Sequence, residues 1–229
     1  MAKVSLQGHM REQLPEMGDD HEQGPVGPYI TISRQFGCYG FSLGLLLMEI
    51  LNEDATPETT WRIYHREILE RLASETDMAP ADLDHTRRAK PGILSEFFRS
   101  LSKKRVPGGY EVRNRIMTIV RDLCTAGHAI IIGQSGAIAT LGLPNGLSVR
   151  LEAPKEWRAK EVAFREGLSE VQSKLRIQAM EKERDYLRKL YEKRFQSKTI
   201  FNLTYDCSYF TLTQIARHVV YALKLKGCG

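Results

Sequence analysis

The sequence predicts an α/β fold in which a parallel sheet is covered by helices on both faces, and three observations carry that prediction. Short apolar runs rich in β-branched residues alternate along the chain with longer segments whose apolar residues recur at helical spacing. One run, Ala129-Ile130-Ile131-Ile132-Gly133, is continuously apolar, the pattern of a strand buried on both sides. The first run, Tyr29-Ile30-Thr31-Ile32-Ser33, passes through a glycine-containing turn directly into a helix. Alternation of this kind implies right-handed crossovers and a layered sheet, and in such sheets ligands sit at the carboxyl ends of the strands.

Each element has its own signal. After the first strand, Leu43, Leu46, Leu47, Ile50 and Leu51 share one helical face over residues 42–52. A short strand is expected at 61–64 and a helix at 67–76, where Ile68, Leu69 and Leu72 are helically spaced. Residues 78–105 are polar, carry Pro80 and Pro91, and hold one apolar patch at Phe97, Phe98 and Leu101, which reads as a helical insertion over the sheet. Residues 111–125 form a better amphipathic helix, with Ile116, Ile119, Val120 and Leu123 on one face and Gly127 as its stop. Strands are expected at 129–133 and at 147–153, the latter ended by Pro154. The charged stretch 155–196 is helical with a break near Gly167, after which Ser169 and Gln172 have capping-box spacing. A last strand at 201–206 and a helix at 211–225 complete five strands.

With 229 residues and 42% hydrophobic content, the chain supports one sizeable core, expected as a single domain over 29–229. Lys and Arg outnumber Asp and Glu by 33 to 28, a slight excess that suits a polyanionic small molecule better than a nucleic acid. Cys38, Cys124, Cys207 and Cys228 are scattered without C-x-x-C pairs, so neither a disulfide framework nor a zinc site is indicated and a reducing cytoplasm is expected. Residues 1–28 are polar, end in Gly24-Pro25-Val26-Gly27-Pro28, and are expected to be a flexible tail without a signal-peptide core. The longest apolar stretch, 43–51, contains Glu49 and falls far short of the ~20 residues that span a bilayer, so no membrane partner is expected.

A loop between a strand and a helix can turn several backbone N–H groups toward a phosphate while the helix dipole adds partial positive charge. Here it reads Ser33-Arg34-Gln35-Phe36-Gly37-Cys38-Tyr39-Gly40-Phe41-Ser42, which lacks the G-x-x-x-x-G-K-[ST] pattern and fits an ordinary glycine turn equally well. On the phosphate reading, Gly37, Cys38, Tyr39, Gly40, Phe41 and Ser42 form the nucleotide site. The Ser42 hydroxyl is then either a Mg²⁺ ligand or a helix N-cap. Cys38 is either a thiol activated by inward amides or a small buried side chain.

The string Ile30-Thr31-Ile32-Ser33-Arg34-Gln35-Phe36-Gly37 resembles the I-S-R-Q-x-G opening of the cytidylate kinase-like family. Further pieces follow in the family's order. Tyr64-His65-Arg66-Glu67-Ile68-Leu69 resembles its Y-D-R-E-hydrophobic segment, and Ala129 to Gly133 resembles the strand leading to G-R-G. Glu183-Arg184-Asp185 lies in a charged helix similar to its lid, and Phe201-Asn202-Leu203 resembles its Y-D-L strand. The resemblance covers roughly residues 29 to 225. It implies a three-layer P-loop fold with a five-stranded parallel sheet, a helical monophosphate-binding insertion at about 66–128 and a helical lid at about 155–198. It also implies transfer of the ATP γ-phosphoryl group to CMP or a related nucleoside monophosphate, with ATP and Mg²⁺ as cofactors.

Three positions depart from the family. Its loops usually run G-S-G-G-R, whereas Cys38, Tyr39 and Phe41 replace the serine, a glycine and the arginine, so no cation stands at the Walker-lysine position. His65 stands where the family has Asp, and Gln134 where G-R-G has Arg. Phosphoryl transfer depends on positioning and on electrostatic stabilisation of the equatorial oxygens, so a lost cation must be replaced. Arg34 is the nearest replacement. Arg184 and Arg188, four apart, share a helix face and can clamp phosphates under a lid, Arg184 matching the family position. Together with Arg34 they form the expected catalytic set. Arg66, Arg113 and Gln134 are the expected monophosphate contacts, with Arg115 a further possibility and surface ion pairs the plain alternative. Two functions follow: a weakened nucleotide kinase, or an inactive nucleotide-binding or regulatory protein on the same fold. A nucleic-acid module on 87–105 and 155–198 is opposed by the acids interleaved along the lid.

Overall fold

The computed structural model describes residues 26–74, 76, 78–88 and 108–227. Five parallel strands, β1 (Tyr29–Arg34), β2 (Arg62–Tyr64), β3 (Ala129–Ile132), β4 (Gly146–Glu152) and β5 (Leu203–Asp206), form one sheet in the order β2-β3-β1-β4-β5. The described helices are α1 (Gly40–Leu51), α2 (Glu67–Ser74), α3 (Pro80–Arg88), α4 (Gly109–Ala126), α5 (Gly136–Ala139), α6 (Lys155–Glu166), α7 (Glu170–Arg194) and α8 (Leu212–Leu225). The expected architecture, a five-stranded all-parallel α/β sheet flanked by helices, is the one observed.

The two-residue period of the strands divides the core. Ile30, Ile32, Ile130, Ile132 and Val149 face α1 and α8, against Leu43, Leu47, Ile215 and Val219. Tyr29, Ala129 and Ile131 face the opposite layer, against Ile116, Val120, Leu72 and Tyr191. The central strands are therefore apolar on both sides, as the run at 129–132 demands, and each such side chain contributes about 1.5–3 kcal/mol of burial. From β1 the chain leaves toward β2 and later returns to β4 on the other side, which puts a topological switch point at the carboxyl ends of β3, β1 and β4.

Boundaries shift for identifiable reasons. β1 extends to Arg34 because its ladder with β4 continues, Arg34 opposite Leu151, and the Gln35 N–H still donates to Leu151 O at 2.9 Å. The break in the long helix is as expected: Gly167 takes φ +64°, and Ser169 and Gln172 satisfy each other's backbone N–H groups. Helix α5 has no sequence signature, because four residues cannot display a period; it follows three left-handed positions at Gly133, Gln134 and Ser135.

The expected tail boundary needs correction at 26–28. The Gly27 N–H donates to Thr125 O, Pro28 O accepts from the His128 N–H, and Val26 O accepts from Asn145 Nδ2, so this segment is laid against the domain. Residues 1–25 lie outside the described part, as does 89–105 of the expected insertion with Phe97, Phe98 and Leu101; within that insertion α3 is a helix as anticipated. Among the described residues no helix is long and apolar enough to cross a membrane.

Two glycines separate steric need from backbone need. A Cβ at Gly146 would stand 2.0 Å from the Tyr29 ring, whereas one at Gly167 would meet nothing but would hold the left-handed conformation. Urea unfolding should show Gly146→Ala losing about 3 kcal/mol, since overpacking a full core forces shifts, and Gly167→Ala losing about 1 kcal/mol from φ strain alone.

Candidate functional site

The switch point opens into a cavity of about 600 Å³ between the carboxyl ends of β1, β3 and β4 and the helices α3 and α7. Seven arginines and five carboxylates line it. All five carboxylates are engaged in ion pairs: Asp84 with Arg87 and Arg88, Glu152 with Arg150, Glu181 with Arg158, Glu183 with Arg88, and Asp185 with Arg188.

Arg34, the last residue of β1, has no carboxylate partner among the described residues. Its stem packs on Gly40, where an added Cβ would stand 3.0 Å from Cδ, and its guanidinium lies over Gly133, where one would stand 2.2 Å from Nη1. Among the described residues no hydrogen bond or ion pair holds that guanidinium, although it is sunk into the cavity wall. Burial first, then the charges of Arg184, Arg87 and Arg150, lower its pKa to about 9. A half-buried cation ringed by three others and left without a carboxylate is poised for an anion.

Its neighbours are held in place by specific bonds. Arg184 Nη1 donates to Arg34 O at 3.1 Å and stacks over the Phe36 ring at 5.4 Å; burial and then Arg150 depress its pKa. Arg150 donates to Ser33 Oγ at 2.9 Å. Arg87 donates through Nε to Asp84 and through Nη1 to Gln134 Oε1, both at 2.7 Å, while Gln134 Nε2 donates to His65 O at 2.8 Å. His65 is displaced toward its neutral form by burial and by Arg34.

The β1–α1 loop is built differently from the expected amide cup. The Cys38 N–H donates to Gln35 O at 3.2 Å and the Gly40 N–H to Cys38 O at 3.0 Å, so two of the anticipated amides are spent within the turn. Arg158, 4% exposed, donates to Phe36 O and to Ala153 O and pairs with Glu181. Gly37 has φ +100° and lies so close to Arg158 that a Cβ would meet its Cβ at 2.9 Å. Tyr39 turns away to donate to Glu161, edge-on to Trp157. Cys38 is the small buried side chain of the two readings; its hydrogen bond to Cys207 and its burial push its pKa up, opposite to activation.

Of the residues singled out in the sequence, Arg34, Arg66, Gln134, Arg184 and Arg188 line the cavity, whereas residues 37–42 do not. Ser42 is not an N-cap, because Tyr39 occupies that position and makes no side-chain cap. Arg113 is buried, does not line the cavity, and donates from Nη1 to Arg87 O at 3.0 Å. Arg115 is exposed and does not line the cavity. Both ends of the Gln134 amide are bonded to protein, so it orients Arg87. Sequence reasoning missed Arg87 and Arg150. Arg150 had a usable signal, a charge near the carboxyl end of a buried strand, while Arg87 had none beyond a charged helix end.

The donor set fits a phosphate and does not fit a resident divalent cation. Among the described residues no three His, Cys, Asp or Glu side chains gather at a metal-binding distance, and the cavity acids already neutralise arginines.

Because burial and neighbouring cations hold the folded-state pKa of Arg34 below its ordinary value, at about 9, its charge opposes folding below that pH, and the penalty fades as the pH climbs above it. Inorganic phosphate should therefore raise the melting temperature of the wild type and leave Arg34→Met unmoved. In phosphate-free buffer at neutral pH, Arg34→Met should be at least as stable as the wild type, which thermal melts followed by circular dichroism will show.

Comparison with known proteins agrees with this architecture. The chain is similar in fold to an uncharacterized protein from Eubacterium ventriosum, with 18% identity, a TM-score of 0.59, and coverage of 86% of this chain and 98% of that one. Another solved structure, TT1252 from Thermus thermophilus, aligns at 15% identity and a TM-score of 0.43 over 87% of this chain and 97% of that one. No curated protein matches the sequence. The sequence model of the cytidylate kinase-like family matches residues 29–209, from the first residue of β1 to beyond the end of β5. Since that match takes in all five strands and the whole arginine-lined cavity, the chain belongs to the cytidylate kinase-like family.

Proposed function

We propose that this protein is a weakened phosphotransferase that moves the ATP γ-phosphoryl group to CMP or a related nucleoside monophosphate in the arginine cavity. The observation that carries the proposal is Arg34, a half-buried guanidinium without a counter-ion among the described residues, at the carboxyl end of the central strand. Family membership supports kinase chemistry at a coarse level. Arg34 takes over from the absent loop cation and faces the transferring phosphoryl group. Arg184 and Arg188 close from α7, within the lid region at 155–198, and Arg66 and Arg87 approach from the insertion side at 66–128. Gln134 keeps Arg87 in register. Such preorganised donors act where water is excluded, and losing one typically costs about 2.7–4 kcal/mol of transition-state stabilisation. ATP would bring the γ-phosphoryl group; among the described residues Mg²⁺ has no ready-made carboxylate seat. The free thiols at Cys38, Cys124 and Cys207 suit a cytoplasmic setting.

A second reading, a nucleotide-binding or regulatory protein without turnover, is favoured by one observation: the Cys38 and Gly40 amides are bonded inside a loop that carries no cation. Residues 37–42 would then act only as a structural turn, and Ser42 would ligate no metal.

ADP release measured across the nucleoside monophosphates tests both. For one acceptor the wild type should exceed Arg184→Ala by about 100-fold. No turnover above that variant for any acceptor, with ATP or CMP still bound in calorimetry, would replace the first reading by the second. Phe41 is 49% exposed and its ring lies 6.1 Å from that of His65 on the cavity wall. Phe41→Arg should therefore place a cation within reach of the phosphates and raise turnover.

A further inference from the structure

His65 lines the cavity just past the carboxyl end of β2, and its backbone is fixed from both sides. Its N–H donates to Glu67 Oε2 and its carbonyl accepts from Gln134 Nε2, each at 2.8 Å. Because Gln134 Oε1 accepts from Arg87 at 2.7 Å, one side chain sets the spacing between His65 and Arg87. The imidazole itself is left free of such bonds. It is half-buried, its ring lies tilted 6.1 Å from that of Phe41, and among the described residues no hydrogen bond or ion pair holds it.

Charge converges on this ring from several elements. Arg34 acts on it from β1, Arg87 from α3 and Arg66 from its own loop, while Glu67 at the start of α2 works in the opposite sense. Asp84, the carboxylate that α3 contributes to the cavity, is taken up by Arg87 and Arg88, and Phe41 and Gln134 are uncharged. Burial, and then these arginines, hold the imidazole below its ordinary pKa, so in the empty cavity it is neutral at neutral pH. An anion seated beside Arg34 and Arg87 reverses that balance, because it offsets the arginine charges and adds an opposite one that favours the imidazolium.

We propose that the His65 imidazole is a further ligand of the cavity, which takes up a proton from solvent and donates a hydrogen bond when a tetrahedral dianion such as a phosphoryl group enters, so that occupancy strengthens as the pH falls. The proposal rests on reading the arginine cavity as an anion site and adds a ligand to it. An Asp at this position could only accept hydrogen bonds and would repel the dianion, whereas an imidazolium offers N–H donors and a positive charge. Linkage fixes the direction. The proton-coupled gain is complete below the pKa of the empty site, which lies under the ordinary histidine value, and is lost as the pH rises through the higher value of the occupied site.

Inorganic sulfate is the probe for the full chain, because it stays a dianion in this pH range and contributes no proton of its own. Calorimetry at constant ionic strength should show its affinity falling about tenfold or more from about pH 5 to about pH 8. Buffers of different ionisation enthalpy should report net proton uptake on binding. His65→Gln should bind sulfate with a flat pH profile and no uptake, and His65→Asn gives the same comparison if the glutamine variant folds poorly. In the wild type, NMR titration of the histidine ring signals should show the midpoint of the signal missing from those variants moving upward when sulfate is added. Sulfate bound with pH-independent affinity, or bound while that midpoint stays in place, overturns the inference and leaves the anion site standing. No binding by the wild type across the range, or binding that survives in Arg34→Met, overturns the anion site and the inference together.

Discussion

The Arg158 guanidinium is the interaction on which the arrangement of the site depends. Buried at the start of α6, it binds Phe36 O in the β1–α1 turn, Ala153 O after β4, and the Glu181 carboxylate on α7. One planar donor fork thus joins three segments that converge at the carboxyl edge of the sheet. Pairing with Glu181 and two carbonyls supplies the partners that a buried cation requires. With the turn pulled onto α6, its amides close on its own carbonyls; with Glu181 anchored, the next turn of α7 brings Arg184 over the end of β1.

Where Arg158 is fully paired, Arg34 is not, and the contrast separates a structural arginine from a ligand-seeking one. Arg158 is buried in the first turn of α6, and Arg34 is half-buried at the end of β1. Arg158 has found a carboxylate and two carbonyls, whereas Arg34 is surrounded by Arg184, Arg87 and Arg150, whose charges add to the cost of its burial. Repulsion of that kind is stored by the fold and relieved by an anion, the usual signature of a binding site rather than of a stability device.

The family's phosphate loop has meanwhile become a piece of framework. Cys38 is buried in the apolar cluster that also holds Cys207, and Tyr39 donates to Glu161. Cationic character resides instead on the end of β1, on β4 and on the two helices that roof the cavity. Such a redistribution moves positive charge from the loop to the strand ends and helices that line the cavity.

Residues alone specified whatever depends on neighbours a few positions away. Doubly apolar β3, the faces of α1 and α4, the Gly167 break and the reciprocal Ser169–Gln172 cap were all legible, because periodicity and capping are local physics. The place of Arg34 at the end of the first strand was legible as well. The destinations of polar groups were not legible. That Arg113 donates to Arg87 O, that Arg150 enters the cavity, and that Cys38 and Cys207 share one apolar cluster all follow from the convergence of segments remote in sequence. Hydrogen bonds and charge pairs are settled by distance in space, and spatial distance is set by strand order, which no local pattern encodes.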